Sequence, residues 1–486
     1  MSLRGDRPLS EQVYTALRDG ILGGRLAPGA KLPSTRALAA SLAVSRTTTQ
    51  LAYDQLLAEG YLTARVGSGT FVAGDWSERP ATAELQSLLA EGAATPQSDY
   101  AARLAEVRTR WRGVTRNTDA EIRFRLGVSD ASLLASKTWA RLIAACASDT
   151  SPAATDYGRT GGAPELRRAI AAYLEQARGV RCDSRQIVIV SGIQQGLGLV
   201  TRLLANPGDA ALHEDPGYLG AATTFAAEGL RVVPVPIDDE GMALERVPEA
   251  TLARVKLAYV TPSHQFPTGA VLSFPRRRAL LAWAKSRGCF VFEDDYDSEF
   301  RFEGRPIESL YALDDSSTVI YAGTFSKTVF PALRIGYLVL PPSLADSVAT
   351  AKWLAGFGNP SLEQRALARF IEDGHYGRHV RRCRVQYARR RDRLLREVLR
   401  RFGASIELCG ERAGLHVLAR FPALPATRIP ALVEAAARES LEVQRADVFY
   451  STPPAEAALL LGYASLDEDA IAEGVERLAR AVRSLA

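Results

Sequence analysis

Residues 324–337 read TFSKTVFPALRIGY, and they follow directly on an apolar run that predicts a buried strand. In this stretch Lys327 stands beside Ser326 and seven residues before Arg334. An aldehyde cofactor needs a lysine amine for a Schiff base, and a cofactor phosphate needs hydroxyl groups and a fork-shaped cation. Thr324, Ser326 and Arg334 supply those groups in one loop, so the stretch predicts a phosphate-bearing aldehyde cofactor held by Lys327 as the catalytic residue.

A second segment, FVFEDDYDSEF at 290–300, ends a buried strand on acidic residues. A carboxylate beside a pyridine nitrogen favours the protonated ring, because opposite charge favours the charged form. The protonated ring is the electron sink of pyridoxal 5′-phosphate (PLP) chemistry. We therefore predict that Asp294 contacts the pyridine nitrogen of PLP and that Tyr296 hydrogen-bonds its phenolic oxygen.

Two further motifs follow predicted strands. The segment IVSGIQQGLGLV at 189–200 is a strand, a glycine turn and a helix start, and backbone N–H groups at a helix start bind phosphate. The residues predicted to cradle the phosphate are Gly192, Ile193 and Gln194. In HEDPGYLGA at 213–221, Tyr218 stands where an aromatic ring can stack on the cofactor.

Short apolar runs with helical stretches between them extend from about residue 120. The predicted buried strands are Ile187–Val190, Ala210–Glu214, Val232–Val235, Leu257–Thr261, Phe290–Glu293, Thr318–Ala322 and Ile335–Leu340. This alternation predicts an α/β fold with a largely parallel sheet. The last 120 residues or so predict a smaller α/β subdomain.

In this order the motifs resemble the fold-type-I PLP aminotransferases over about residues 120–486. The resemblance implies that Lys327 is the Schiff-base lysine and that Asp294, Tyr296, Tyr218, Ser326 and Arg334 hold the cofactor. It also implies that Tyr157, in TDYGRTGG at 155–162, reaches the phosphate of a neighbouring subunit, and therefore a homodimer with shared sites.

Two positions depart from the aminotransferase pattern. Aminotransferases usually carry Asn just before the P-[ST]-G turn, where this chain has Phe266, so that Tyr296 would hold the phenolic oxygen alone. They also commonly place an Arg for the substrate carboxylate in a late strand, where this chain has Leu460. A non-carboxylate amine, an amino compound held differently, or PLP itself therefore stays open as the effector.

The first 75 residues predict three helices and a hairpin. Apolar residues recur every four positions on the first helix, from Leu9 to Ile21. Ser34 and Ser45 are predicted N-caps of the second and third helices, and the third is expected to run to about Glu59. The predicted strands of the hairpin are Tyr61–Thr63 and Thr70–Val72, hinged by Gly67-Ser68-Gly69. This order is that of a winged helix-turn-helix.

The third helix begins Ser-Arg-Thr-Thr-Thr, and the start of a recognition helix enters the major groove of DNA. Arg46 there can reach guanine or phosphate, and Arg36 on the second helix is placed for the DNA backbone. Residues 26–72, LAPGAKLPSTRALAASLAVSRTTTQLAYDQLLAEGYLTARVGSGTFV, resemble the GntR-type winged helix family. The resemblance implies DNA contacts by Arg36, Ser45, Arg46, Thr47, Thr48 and Gly67.

Composition changes between about residues 76 and 118, which are rich in Ala, Thr, Ser, Glu and Arg. We predict a linker with helical pieces there, and if it were all coil its root-mean-square span would be about 35 Å. The predicted organisation is a DNA-binding domain at 1–75, this linker at 76–118 and an aminotransferase-like domain at 119–486. It is multidomain, mostly α at the N-terminus and α/β at the C-terminus.

Bulk composition excludes several other classes of protein. The net charge of +5 is too small to argue for nucleic acid by itself, and no apolar run approaches the length of a membrane span. The five cysteines show no metal-ligand spacing, so we expect no metal site and reduced thiols in a cytoplasmic protein. Eleven arginines between 378 and 401 predict a solvated helix face rather than a second DNA patch.

Joined together, the two parts resemble the MocR subfamily of GntR-type regulators, on TPSHQFPTG (261–269), EDDYDSEF (293–300) and TFSKTVFPALRIGY (324–337). The resemblance implies a transcription regulator that binds operator DNA and senses an amino compound or PLP through an internal aldimine at Lys327. The alternatives are a working aminotransferase with an accessory DNA-binding domain and a binding module that has lost its cofactor. The intact set around Lys327 argues against cofactor loss, and Phe266 and Leu460 argue against turnover.

Overall fold

The computed structural model describes residues 7–74, 98–111, 119–304 and 307–485. Contacts divide the chain into two compact units, residues 1–96 and 97–486, and each unit is described by itself. No helix within the described ranges is long and apolar enough to cross a membrane.

The first unit begins with three helices. They are α1 (Leu9–Leu22), α2 (Thr35–Leu42) and α3 (Arg46–Ala58). Serine caps begin two of them, as predicted: Ser34 Oγ accepts from the N–H of Ala37 at 3.2 Å. Ser45 Oγ accepts from the N–H of Thr48 at 3.1 Å. Between α2 and α3, Ala43 takes a left-handed conformation with φ of 54°, which turns the chain sharply into α3.

An antiparallel hairpin completes the first unit. Its strands are β1 (Leu62–Arg65) and β2 (Gly69–Val72). Leu62 pairs with Val72, and both are buried with the apolar face of α1 in one core. The first strand begins one residue later than predicted and is longer, which leaves Val66 fully exposed at the hairpin tip. The predicted winged helix-turn-helix is confirmed.

The second unit alternates helices and strands. Its helices are α4 (Asp99–Trp111), α5 (Ser136–Ala147), α6 (Pro152–Thr155), α7 (Pro164–Arg178), α8 (Ile193–Leu204), α9 (Leu219–Ala227), α10 (Glu249–Leu252), α11 (Phe274–Arg287), α12 (Leu310–Leu313), α13 (Pro342–Leu354), α14 (Ser361–Glu372), α15 (His375–Phe402), α16 (Ile429–Arg438) and α17 (Glu468–Arg483). Its strands are β3 (Ile122–Arg123), β4 (Ile187–Val190), β5 (Ala210–Asp215), β6 (Arg231–Asp238), β7 (Gly241–Met242), β8 (Val255–Val260), β9 (Phe290–Asp295), β10 (Val319–Thr324), β11 (Gly336–Val339), β12 (Glu407–Cys409), β13 (His416–Pro425), β14 (Leu441–Glu442), β15 (Gln444–Arg445) and β16 (Glu456–Gly462).

The main sheet has eight strands in the order β4-β11-β10-β9-β8-β5-β6-β7. The pairs from β10 through β9, β8 and β5 to β6 are parallel, while β11 runs antiparallel to both of its neighbours. All seven predicted strands are present within a few residues, and the expected largely parallel sheet is confirmed. Because parallel strands end at one edge, the loops after β5, β8, β9 and β10 converge there.

A smaller subdomain follows, as predicted. Its antiparallel sheet has the order β12-β13-β16-β15, and α15, α16 and α17 share a core with it. A separate two-stranded parallel sheet joins β14 of this subdomain to β3, with Leu441 opposite Ile122. The chain segment that follows β3 therefore runs from the small subdomain toward the main sheet.

The arginine-rich segment lies on α15, and most of its eleven arginines are exposed. Others pair with acids of the same unit, such as Arg390 with Asp130 at 2.6 Å and Arg391 with Glu303 at 3.0 Å. Within the predicted linker, α4 packs on α9, where Arg103 Nε donates to the carbonyl oxygen of Ala227 at 2.8 Å. The rest of that predicted linker, residues 76–97 and 112–118, lies outside the described residues.

Candidate functional site

A cavity of about 450 Å³ lies at the carboxyl edge of the main sheet. Its lining includes all but one of the residues predicted to hold the cofactor, which come from four separate segments of sequence. They are Gly192, Ile193, Gln194, Tyr218, Asp294, Tyr296, Thr324, Ser326, Lys327 and Arg334. The cavity therefore brings together groups that lie up to 142 residues apart in the chain.

Lys327 follows β10 and reaches across the cavity to the segment after β3. Its Nζ donates to the carbonyl oxygen of Gly127 at 3.1 Å. Burial lowers the pKa of Lys327, while the nearby carboxylate of Asp294 opposes that shift. A lysine amine with a lowered pKa is more often neutral, which is the form that attacks an aldehyde. Gly127 has φ of 65°, a conformation that favours glycine, and a Cβ there would lie 2.2 Å from Lys327 Nζ and displace the lysine side chain.

Asp294 ends β9 with one oxygen occupied and one free. Tyr259 on the neighbouring strand β8 donates its hydroxyl to Asp294 Oδ2 at 2.5 Å. The other oxygen, Oδ1, is buried and has no hydrogen-bond partner. Burial raises the pKa of Asp294 to about 7, against the opposing effect of the Tyr259 hydrogen bond. A buried acceptor without a partner is costly, and the N–H of a protonated pyridine would satisfy it.

This environment predicts how Asp294 affects the stability of the protein without cofactor. A carboxyl group whose pKa is raised on folding stabilises the fold below its unfolded pKa of about 4, and that contribution is lost as pH rises through about 7. We expect the stability of wild type relative to Asp294→Asn to fall between pH 4 and 8, by on the order of 4 kcal/mol. Thermal unfolding at a series of pH values measures it.

The matched control for this prediction is Asp315→Asn. Asp315 is an exposed aspartate with 86% side-chain exposure, so its substitution changes the same groups without a burial effect. We expect its stability difference from wild type to stay nearly constant with pH. An equally constant difference for Asp294→Asn would show that the pKa of Asp294 is not raised in the folded protein.

Tyr296 contacts a buried histidine, which in turn contacts a buried aspartate. Its hydroxyl lies 3.1 Å from both Nδ1 and the carbonyl oxygen of His264. His264 Nδ1 is also 2.9 Å from Asp297 Oδ2. Burial lowers the pKa of His264 and Asp297 raises it, with a net upward shift. The Tyr296 hydroxyl donates to the carbonyl oxygen of His264, and Asp297 holds the Nδ1 side of the imidazole, so these contacts fix the tyrosine hydroxyl at the cavity.

The end of the cavity that is predicted to hold the phosphate is formed by the start of α8 and the loop after β10. Gly192 precedes α8 with φ of 122°, and a Cβ there would lie 2.9 Å from an Nη atom of Arg334. The first-turn N–H groups of Ile193 and Gln194 are free of intrahelical partners by geometry. Arg334 forms no ion pair with any residue in the described ranges, so its charge is available to an anion.

The side chains of Thr324 and Gln194 at this end already have protein partners. Thr324 Oγ1 accepts from the N–H of Ser326 at 3.1 Å. The amide of Gln194 donates to the carbonyl oxygen of Gly220 at 3.1 Å and to the hydroxyl of Thr224. The side chain of Gln194 therefore fixes α8 against α9, and only its backbone N–H is left for the predicted contact with an anion.

Aromatic rings form one wall of the cavity. Tyr218 stacks on Tyr259 with ring centroids 6.2 Å apart, and burial raises the pKa of Tyr218 to about 12. Phe266 packs edge-on against Tyr218 at 6.1 Å and against Phe449 at 4.9 Å. Where an Asn would offer a polar group, this chain therefore presents an apolar ring. Leu460 is fully buried in an apolar cluster with Leu219 and is absent from the cavity lining.

Tyr157 is the one predicted cofactor residue that lies away from the cavity of its own chain. Its side chain is 75% exposed, and its ring lies 6.0 Å from that of Phe357. The predicted role of Tyr157 is in a neighbouring subunit, so this position outside its own cavity does not test it.

Sequence reasoning missed several residues of the site. Tyr259, His264 and Asp297 were not predicted, and neither was the carbonyl oxygen of Gly127. The parallel pairing of β8 with β9 could have pointed to Tyr259, since it stands opposite Phe292 and two residues from Asp294 in register. The others depend on contacts between distant segments.

The candidate DNA-contact residues lie in the first unit. Arg36 on α2 and Arg46 at the start of α3 are exposed, and neither forms an ion pair within the described ranges. Ser45 and Thr48 use their hydroxyls on each other at 2.8 Å, as part of the α3 cap. Thr47 is exposed beside them, and Gly67 has φ of 75° in the hairpin turn.

Comparisons with known proteins match both units. Residues 9–72 match the family described as bacterial regulatory proteins, gntR family, and residues 122–478 match aminotransferase class I and II. A probable rhizopine catabolism regulatory protein, MocR, of Rhizobium meliloti is 36% identical over 99% of this chain and 95% of its own. A pyridoxine biosynthesis transcriptional regulator of Corynebacterium glutamicum is 31% identical over 95% of this chain and 92% of its own.

Solved aminotransferases share the fold of the second unit. The α-aminoadipate aminotransferase LysN of Thermus thermophilus, complexed with a phosphopyridoxyl-leucine, has a TM-score of 0.70 and 29% identity. The match covers 80% of this chain and 97% of LysN. The kynurenine aminotransferase of Pyrococcus horikoshii, in complex with PMP, has a TM-score of 0.69 and 27% identity, over 85% of this chain and 98% of its own.

Proposed function

Since the chain belongs to the MocR subfamily of GntR-type regulators, and is therefore a PLP-dependent transcription regulator, we propose that its second unit senses an amino compound, or PLP itself, at Lys327. The observation that carries the proposal is the buried, unpartnered Oδ1 of Asp294 in the same cavity as Lys327. Arg334, without an acidic partner in the described ranges, would hold the phosphate.

When bound, PLP supplies an aldehyde carbon that can pass from the amine of Lys327 to the amine of a ligand. Asp294 would accept a hydrogen bond from the ring nitrogen and so keep that nitrogen protonated. Tyr296 would donate to the phenolic oxygen of the cofactor. Gly192 and the first turn of α8 would surround the phosphate. These residues would orient the cofactor beside Lys327.

Release of Lys327 connects the cavity to the small subdomain. A free Lys327 amine donates to the carbonyl oxygen of Gly127, a bond that cannot form in the same way while Lys327 holds the cofactor. Gly127 lies in the segment after β3, and β3 pairs with β14 of the small subdomain. The presence of a ligand amine would thus favour one position of this subdomain over another, which is what a sensor needs.

The protein would act as a homodimer in the cytoplasm. Tyr157, Leu354 and Phe357 are large apolar side chains with exposures of 75%, 75% and 56%. Such exposure on one protomer supports burial against a second copy, where Tyr157 would reach the neighbouring phosphate. Two winged helices in one dimer would favour paired half-sites on operator DNA.

The test is the coupling between the cavity and the DNA. Primary amines are titrated into the PLP-loaded protein with and without saturating operator DNA, and the visible absorbance of the cofactor is followed. We expect the affinity for a bound amine to change about 5- to 150-fold between the two titrations, because linkage is reciprocal. Identical curves would contradict sensing.

A parallel assay with a keto-acid acceptor addresses the alternative function. A working aminotransferase would convert the amine and transfer its nitrogen to the acceptor. Its amine titration curves would be the same with and without operator DNA. The apolar Phe266 and the buried Leu460 favour binding without turnover.

A further inference from the structure

One part of the cavity is lined by residues that have no predicted contact with the cofactor. Its lining in the described ranges includes Arg125, Glu442 and Gln444, together with His416 from β13. Burial and the neighbouring His264 lower the pKa of His416 to about 3, so this imidazole is neutral. Arg125 and Glu442 are therefore the charged groups that this end of the cavity presents to a ligand.

These two charges are close but poorly paired. Arg125 Nε lies 3.6 Å from Glu442 Oε2, which is too long for a hydrogen bond, and both atoms are buried without a hydrogen-bond partner. The side chains are 35% and 13% exposed. The N–H of Phe124 donates to the backbone oxygen of Glu442 at 3.0 Å, so the pairing of β3 with β14 holds the two charges side by side.

Two further polar residues, His416 and Gln444, line this end of the cavity and are uncharged. His416 is 97% buried, and its Nε2 has no hydrogen-bond partner. Gln444 contributes an amide, whose nitrogen donates to the carbonyl oxygen of Arg445 at 3.2 Å. Arg125 also stands two residues before Gly127, the partner of Lys327, and a turn at Leu126 and Gly127 joins them. Lys327, Arg125 and Glu442 line the same cavity, so a ligand amine at Lys327 would extend its far end toward these groups.

We propose that this end of the cavity selects an effector amine whose far end is uncharged and hydroxyl-bearing. The inference rests on the proposed function, since it concerns the ligand that exchanges with Lys327. Arg125 Nε and Glu442 Oε2 are buried, so a ligand would meet the exposed remainder of the guanidinium and carboxylate groups. A hydroxyl group can donate to this carboxylate and accept from this guanidinium at the same time.

Charged ends fit less well because each one meets a like charge. A carboxylate drawn to Arg125 would lie beside Glu442, and the side chain at position 460 is a buried leucine that offers no second cation. A second ammonium group drawn to Glu442 would lie beside Arg125. Like charges brought together in a partly buried site weaken binding strongly.

The test uses three amines with the same three-carbon chain. They are 3-amino-1-propanol, β-alanine and 1,3-diaminopropane, which end in a hydroxyl, a carboxylate and an ammonium group. Each is titrated into the full-length, PLP-loaded protein, and the visible absorbance gives its dissociation constant. We expect 3-amino-1-propanol to bind about tenfold more tightly than either charged amine.

Two variants of opposite charge act as matched controls for each other. Glu442→Gln leaves Arg125 unbalanced, so β-alanine should gain about tenfold in affinity while 1,3-diaminopropane does not. Arg125→Gln leaves Glu442 unbalanced, so 1,3-diaminopropane should gain and β-alanine should not. Binding of PLP with an unchanged absorbance band in each variant shows that the fold is intact.

The outcomes separate this inference from the proposed function. A wild-type protein that binds PLP but prefers β-alanine or 1,3-diaminopropane, or responds to none of the three amines, overturns the selectivity. Variants that leave the ranking of the three amines unchanged overturn it as well. A wild-type protein that binds no PLP contradicts the proposed function itself, and this is visible before any amine is added.

Discussion

Replacement of Lys327 by alanine is expected to abolish the visible absorbance band of PLP on the protein, together with any linkage that borohydride can fix. The covalent bond to PLP needs an amine, and Lys327 is the lysine that lines the cavity in the described ranges. Asp294, Tyr296 and Arg334 would remain, so we expect PLP to bind more weakly and reversibly. Absorbance, and mass spectrometry after borohydride treatment, measure the change.

Lys352→Ala is the matched control for this substitution. Lys352 lies on α13, is buried with 2% exposure, and has its pKa lowered by burial as Lys327 does. It does not line the cavity, so the absorbance band of this variant should match that of wild type. A borohydride-fixed PLP–lysine adduct in Lys327→Ala would refute the assignment of the cofactor lysine.

Replacement of Arg46 by alanine is expected to weaken operator binding and to flatten its dependence on salt. Arg46 is exposed at the first position of α3, and its charge has no acidic partner in the described ranges. If Arg46 contacts phosphate, its loss removes a counterion-releasing contact and weakens all sequences alike. If it contacts guanine, the loss should be about 1–3 kcal/mol and specific to one base pair.

Arg25→Ala removes the same charge from an exposed position of the first unit, outside its helices. Its effect on operator binding should be smaller and carry no base specificity, because only the long-range charge is lost. Titrations of both variants at several salt concentrations, with wild-type and altered operators, show whether Arg46 contacts phosphate or guanine. Wild-type affinity of Arg46→Ala at every salt concentration would remove Arg46 from the interface. PLP binding should be unchanged in both.

The order of elements was predictable from local patterns. Apolar periodicity located α1, serine caps located the starts of α2 and α3, and short apolar runs located the strands of the main sheet. These features depend on residues within about four positions of one another, so the sequence contains them directly. The motif around Lys327 could also be predicted from the sequence, because Thr324, Ser326 and Arg334 lie in one contiguous stretch.

Side-chain partners across strands were not predictable in this way. Tyr259 reaches Asp294 because β8 lies beside β9 in the sheet, and His264 meets Tyr296 and Asp297 across the loops that follow those strands. The linear order of the chain does not state which strands are neighbours. The hydrogen-bond partners of Asp294 and Tyr296 could therefore be identified only from the sheet order.

The sequence by itself determined the two domain types and the cofactor, and it predicted the lysine, because each of these depends on a contiguous motif. Only the tertiary structure decided what the effector end of the cavity presents. Arg125 and Glu442 are more than 300 residues apart, and the pairing of β3 with β14 brings their side chains to 3.6 Å. The chain folds back on itself to bury apolar surface shared by both segments, and that burial places two charges together that no local pattern connects.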